Sequence, residues 1–174
     1  MTTDKPRQTR RVYSGLLAVQ GAAIVVSAGF LLIGILGFTP GVTAHLDSMR
    51  LAGYRSAALL FDVFQTSVVQ NLVHVAFGVV GLLLARTYAL ARTYLLVGGA
   101  VFLGLWVWGL LMDPHSPANF LPINNADNWL HLGIGITMTV LALTLAGAKA
   151  PTGAGGEILV PPSARLSSRR RKAP

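Results

Sequence analysis

Four long apolar runs alternate with shorter polar stretches along the chain. They occupy residues 13–37, 68–85, 94–112 and 129–147. The first has Gln20 as its most polar member, the second contains Asn71 and His74, the third carries no charge, and the fourth contains His131. Crossing a bilayer as a helix takes about 20 apolar residues. In hydrocarbon the backbone must satisfy its own hydrogen bonds, so each run is predicted to be a helix. Barrel strands would be shorter and would alternate polar with apolar positions, which these runs do not. The first run is too long for a signal-peptide core and no clear small-x-small cleavage site follows it, so it reads as an uncleaved helix. The predicted architecture is an all-α integral membrane bundle of four transmembrane helices over residues 13–147, flanked by a basic N-terminal tail (1–12) and a basic C-terminal tail (148–174).

The turn over 86–92 is short, which makes the second and third helices antiparallel neighbours. The stretch 38–67 is long for a loop in a compact domain. Its part over 49–64 mixes apolar residues with Arg50, Arg55 and Asp62, a pattern that fits a short interfacial helix. Ser67-Val-Val-Gln70 reads as a capping box opening the second helix, and Asp127 or Asn125 as the cap of the fourth. From Pro151 onward Pro, Gly and Ser predominate up to a final SSRRRKAP. That segment has no apolar face to pack and is expected to be disordered.

Composition sharpens the class. Of 174 residues 53% are hydrophobic and only 11% charged, with mean hydropathy +0.60. Soluble domains are about a quarter charged, so a soluble globular enzyme is disfavoured. The absence of cysteine excludes disulfides, iron–sulfur clusters and thiol nucleophiles. The net charge of +8 is confined to the ends and connections, which argues for a membrane protein with basic tails and against a nucleic-acid partner. Twelve Lys and Arg fall in the two tails and the 86–92 turn, against two, Arg50 and Arg55, in the opposite connections. Both termini are therefore expected in the cytoplasm of a bacterial cell, with the protein multi-pass in its plasma membrane. Trp106, Trp108 and Trp129 fall near the outer ends of the third and fourth spans, where indole rings favour the interface.

The second and fourth runs share a motif. Asn71, His74 and Gly78 recur as Asn128, His131 and Gly135 at identical spacing. On a helix those positions share one face. Both runs pass from outside to inside, which sets the histidines at similar depth and suggests a two-helix unit duplicated about an axis along the membrane normal. An ionisable residue in a span marks a functional site by default. One reading is a pair of axial ligands to haem b, with the glycines making room for the macrocycle. Two histidines are too few for a closed metal site. The structural reading has the histidines hydrogen-bonding within a polar cluster of Asn71, His74, Asn124, Asp127 and His131, while the glycines let helices approach closely. It weighs more, because the spans contain neither a second histidine pair nor an arginine for propionates. His45 and His115 lie in outer connections and are read as solvated. The RRRK tail is a topology determinant that also suits contact with anionic lipid. No phosphate-binding loop, paired carboxylates within a span, nucleophile elbow or zinc-protease helix is present.

Residues 60–74, LFDVFQTSVVQNLVH, followed by Gly78 and Gly81, together with residues 121–132, LPINNADNWLHL, resemble the two signatures of the domain-of-unknown-function 4383 family. The resemblance covers about residues 10–147. It implies a small four-span membrane protein of a type found mostly in actinobacteria. It carries no activity with it. By position it singles out Asn71, His74, Asn124, Asp127 and His131 without roles.

The functional expectation is a non-enzymatic membrane protein, either an accessory subunit or a small-ligand binder, with the bilayer, a membrane-protein partner or a second copy of itself as partners. The alternatives are a bis-histidine haem protein in electron transfer through His74 and His131, a small transporter, and an enzyme acting on lipid through His74, His131 and Asp127. Against the transporter, no span is broken midway and no charge lies at the midplane. Nothing in the spacing favours the lipid enzyme.

Overall fold

The computed structural model describes residues 18–145. The expectations for 1–12, for the first and last few residues of the outer runs, and for the tail 148–174 lie outside the described residues. The chain forms four helices, α1 (Ala18–Leu36), α2 (Val68–Leu84), α3 (Tyr88–Leu111) and α4 (Asn125–Thr144). Among the described residues α1 and α3 are long and apolar enough to cross a membrane, and α2, with 17 residues, is a shorter apolar helix.

Local chemistry sets where each helix begins. Ser67, in extended conformation, accepts the Gln70 N–H at 3.2 Å and opens α2. The reciprocal half of the expected capping box is not made. The N–H groups of Val68 and Val69 are instead satisfied by the carbonyls of Arg50 and Leu51, at 3.1 and 2.9 Å. Thr87 caps α3 by accepting from Leu90 N–H. This helix starts before residue 94 and takes in Arg92, which the sequence reading placed in the turn. α4 also starts earlier than residue 129. Its cap is Asn124, not Asp127 or Asn125, and Asp127 closes a complete capping box at the third helical position.

The interfacial helix expected over 49–64 is not formed. A 3-10 turn at Leu46–Ser48 leads into a small antiparallel sheet of β1 (Thr43–Ala44), β2 (Leu59–Leu60) and β3 (Phe64–Gln65) in the order β1-β2-β3. Thr43 pairs with Leu60 and Leu60 with Phe64. Backbone conformation explains the difference. Gly53 takes a left-handed φ of 90°, and Phe61 and Asp62 do so at 54° and 60° in the β2–β3 turn, so no helix can run through the segment.

The four helices pack as two close pairs, α1 with α2 and α3 with α4, and the pairs repeat each other's contacts. The Asn71 amide lies against Gly37, and the Asn128 amide against Gly109. Gly78 abuts Leu31, and Gly135 abuts Leu103. Gln20 Nε2 donates to the Ala85 carbonyl at 3.0 Å, and Arg92 Nε donates to the Ala142 carbonyl at 3.2 Å. A shift of 72 positions carries each residue of α1 named here onto its counterpart in α3, and a shift of 57 carries those of α2 onto α4. Phe30 and Phe102 are counterparts too, and they stack on each other with centroids 5.2 Å apart and planes 19° apart. This contact joins the pairs at the centre, flanked by Phe77, which meets both rings edge-on.

A Cβ on Gly78 would lie 2.7–2.8 Å from Ser27 and Leu31 atoms, backbone included. Gly78→Ala is expected to cost about 1–3 kcal/mol by overpacking. A Cβ on Gly133 meets nothing within 4 Å, so Gly133→Ala should be neutral or gain up to about 1 kcal/mol from helix propensity. Unfolding in detergent, followed by circular dichroism, separates the two.

Candidate functional site: a cavity between two histidines

The residues one helical turn before each histidine decide the chemistry at the α2 and α4 N-termini. They are Gln70 and Asp127, the third residues of their helices and counterparts in the repeat. Gln70, His74, Asp127 and His131 line one cavity of about 150 Å³ together with Phe30 and Phe102. Leu60, Phe64, Gln65 and Thr66, from the strands and the α2 approach, form its roof. His131 is 6% exposed and Gln70 7%. Three buried polar atoms of these lining residues have no hydrogen-bond partner, Gln70 Oε1, His74 Nδ1 and His131 Nδ1.

The roof is fastened to the floor by hydrogen bonds. Asp127 Oδ2 accepts from the backbone N–H of Gln65 and of Asn124, both at 3.0 Å. Asn124 Oδ1 accepts from Asp127 N–H at 2.9 Å, and its Nδ2 donates to the Val63 carbonyl at 2.8 Å. Gln65 Nε2 donates onward to the carbonyls of Tyr54 and Ser56.

Of the five residues proposed from sequence as one polar cluster, His74, Asp127 and His131 meet at the cavity. Asn124 reaches it only through Asp127. Asn71 does not reach it. Its side chain is fully buried against Gly37 and accepts a hydrogen bond from Thr66 Oγ1 at 2.5 Å. His45 sits at a left-handed backbone position and His115 is exposed, with Asp113 3.7 Å away. Among the described residues no three His, Asp, Glu or Cys gather into a metal-binding group.

Ring contacts connect the histidines. His74 packs on Phe30 with centroids 5.8 Å apart, Phe30 on Phe102, and Phe102 on His131 at 5.5 Å. An apolar groove of about 390 Å³ between α1 and α4 shares Phe30, Ile33, Leu130 and Ile134 with the cavity and is lined also by Gly29, Gly133 and Met138. On the opposite side, between α2 and α3, a smaller cavity of about 80 Å³ shares Gln70, His74, Phe102 and His131 with it and is bounded by Phe77, Val101 and Leu105.

A family profile described as "Domain of unknown function (DUF4383)" matches residues 20–144. The chain belongs to this family. The DUF4383 match takes in every residue around the cavity, and its description assigns no activity. No curated protein and no solved structure matches the chain.

Sequence reasoning about this DUF4383 chain missed Gln70, Phe30 and Phe102. The signal was present: the repeat extends upstream of the asparagines to Gln70/Asp127 and to the caps Ser67/Asn124, and from the second and fourth helices to Phe30/Phe102.

Asp127 stands ahead of the apolar stretch that begins at Trp129. Burial pushes its carboxyl up to about 7 from an ordinary 3.8, opposed by the hydrogen bonds from Asn124 and Gln65. Folding then favours the protonated form. Its contribution is fully present below about pH 4 and is lost as pH rises through about 7. Melting temperature should fall across that window for the native protein, and more weakly for Asp127→Asn. Asn124→Ala should cost about 0.5–2 kcal/mol at any pH by removing the cap.

Proposed function

We propose that the protein is a four-span membrane protein of the bacterial plasma membrane, with both termini cytoplasmic, built from a duplicated helical pair. We further propose that it is a non-enzymatic binding protein that holds a small uncharged molecule between His74 and His131. The observation that carries the binding reading is the cavity of about 150 Å³ lined by the side chains of Gln70, His74, Asp127 and His131 with Phe30 and Phe102. The four-span reading is supported by the apolar length of α1 and α3. It is supported also by the repeat, which relates α2 to α4 as it relates α1 to α3, so that all four would share one orientation scheme. The bias of twelve basic residues against two sets the direction.

The haem reading has less support. Cofactor-sized sites run to about 300–1,000 Å³, and the cavity is about 150 Å³. Phe30 and Phe102 already provide the ring contacts that link the histidines. No redox role is assigned.

Reporter fusions at Pro174 and within 86–92 should read cytoplasmic, and those near Asp47 or Ser116 external. A C-terminal fusion reading external would refute the orientation. Protein purified in mild detergent should carry a bound small molecule detectable by native mass spectrometry, absent from His74→Ala/His131→Ala. An absorption scan of the same sample should show no haem band. Such a band, lost in the double variant, would establish the haem reading instead.

A further inference from the structure

The shift of 57 positions that relates α2 to α4 also relates the segments leading into them. It carries Val63, Phe64, Gln65 and Thr66 onto Phe120, Leu121, Pro122 and Ile123. The fold keeps this correspondence, since Phe64 and Thr66 line the larger cavity as Leu121 and Ile123 line the smaller one. One bond is not kept. Gln65 N–H donates to Asp127 Oδ2 at 3.0 Å. Its counterpart would run from residue 122 to Gln70, and residue 122 is a proline with no N–H to give. Gln70 Oε1 is accordingly without a partner. The 119–123 segment is fastened to its own connection instead. Asn119 donates to the carbonyls of Pro114 and Ile123 and accepts the Ile123 N–H.

The sheet over the cavity is anchored on the first helical pair. Thr43 Oγ1 donates to the Leu36 carbonyl at the end of α1, and Thr66 Oγ1 donates to Asn71 of α2. Among the described residues, the hydrogen bonds that carry this outer segment across to the second pair are Gln65 N–H to Asp127, Asn124 Nδ2 to the Val63 carbonyl, and Gly53 N–H to the Phe120 carbonyl. The first two hold the tip of the sheet, next to the left-handed Phe61–Asp62 turn. Only the bond to Asp127 ends on an ionisable group.

Little near Asp127 offsets a charge. The ionisable side chains that line the cavity with it are His131, one turn further along α4, and His74 from α2. α1, α3 and the strands contribute none. With the roof closed, burial favours the protonated carboxyl, against the bonds from Asn124 and Gln65. With the roof open, water reaches the carboxyl and returns it toward the ordinary carboxylate range. A carboxyl whose pKa is higher in the closed form stabilises closure at low pH. That contribution is lost as pH rises through the closed-form value of about 7.

We propose that the tip of the sheet, residues 61–65, is a lid over the cavity, latched to α4 by the Asp127 carboxyl and released as that carboxyl ionises. This rests on the binding function proposed above and adds its regulation.

The test is amide hydrogen exchange on the full chain in detergent, which reads local opening. Protection is expressed relative to unstructured peptide at the same pH, so that the intrinsic pH dependence of exchange cancels. Protection of the Gln65 amide should fall by at least about tenfold between pH 5 and pH 7. The Asp127 amide, which Asn124 Oδ1 holds within the capping box, should keep its protection, because the box survives opening. Asp127→Asn retains an acceptor and cannot ionise, so Gln65 protection should then be equal at the two pH values. His74→Ala removes the imidazole across the cavity and should leave the response in place. Circular dichroism establishes that each variant is folded. Gln65 protection that is flat or rises with pH in the native protein would overturn the lid. An equal fall at the Asp127 amide would overturn it too, because the whole start of α4 would then be opening. A response that persists in Asp127→Asn, or disappears in His74→Ala, would overturn the assignment of the latch to Asp127. The binding function is judged separately, by the histidine-dependent occupant in native mass spectrometry. An occupant without the exchange response leaves the site and removes the lid, and the exchange response without an occupant leaves the lid and removes the site it regulates.

Discussion

The contact between Phe30 and Phe102 depends on how closely each helix approaches its partner. α1 can lie near α2 only because Gly34, Gly37 and Gly78 leave no side chain in the seam, and α3 near α4 only because Gly99, Gly109 and Gly135 do the same. In each seam a buried asparagine occupies the space left by a glycine, Asn71 at Gly37 and Asn128 at Gly109. Small residues favour helix association wherever burial of apolar area cannot drive it, as in a bilayer. The approach fixes the height of α1 relative to α2 and of α3 relative to α4. The two phenylalanines then arrive at the same level and stack, and the histidines come to flank them. A side chain at Gly37 or Gly109 would displace an asparagine, shift that helix and misalign the ring contacts from His74 to His131.

The pairs have diverged where the site is. Cap positions, asparagines, histidines and the carbonyls of Ala85 and Ala142 keep matching roles. The third helical residue differs, Gln70 against Asp127, and so do the flanks, where Val101 and Phe77 on the α2–α3 side stand against Gly29 and Ile134 on the α1–α4 side. Structure alone requires neither difference. The Asp127 carboxylate gains two backbone donors that fasten the Gln65 strand over the cavity, whereas Gln70 Oε1 is left without a partner. One half thus holds the roof and the other presents an open valence, a division of labour that a symmetric bundle would lack.

The sequence shows the four helices directly, because apolar runs of that length with Gly and Asn at fixed offsets leave few other folds. It also shows the repeat, through Asn71-His74-Gly78 and Asn128-His131-Gly135. The helix starts are legible only in part. Ser67 is a cap by its spacing to Gln70, but in Asn124-Asn-Ala-Asp127 three residues could serve, and only the bond to Val63 from the outer strand explains why Asn124 does. The segment 49–64 misleads because its composition suits a surface helix, whereas its conformation answers to a demand made elsewhere. Arg50 and Leu51 must turn their carbonyls toward the start of α2. Asn71 was grouped with the histidines because it shares their helix face. On such a face one turn of rise changes the neighbour from the cavity to Gly37, and this the periodicity does not resolve.

The roof bears on the order of events at the site. The β2–β3 turn carries Phe61 and Asp62 in left-handed conformations, which β-branched or bulky side chains adopt at a cost. The turn is held by the bonds that Asp127 and Asn124 make to Gln65 and Val63. The same two side chains also cap α4, the helix that carries His131, through separate bonds that each makes to the other's backbone N–H. Opening the roof would therefore cost the bonds to Gln65 and Val63 and leave the capping box of α4 in place. The roof and the cap are thus parts of one arrangement, in which Asp127 and Asn124 close the start of α4 on each other and fasten the strand above it with the same two side chains.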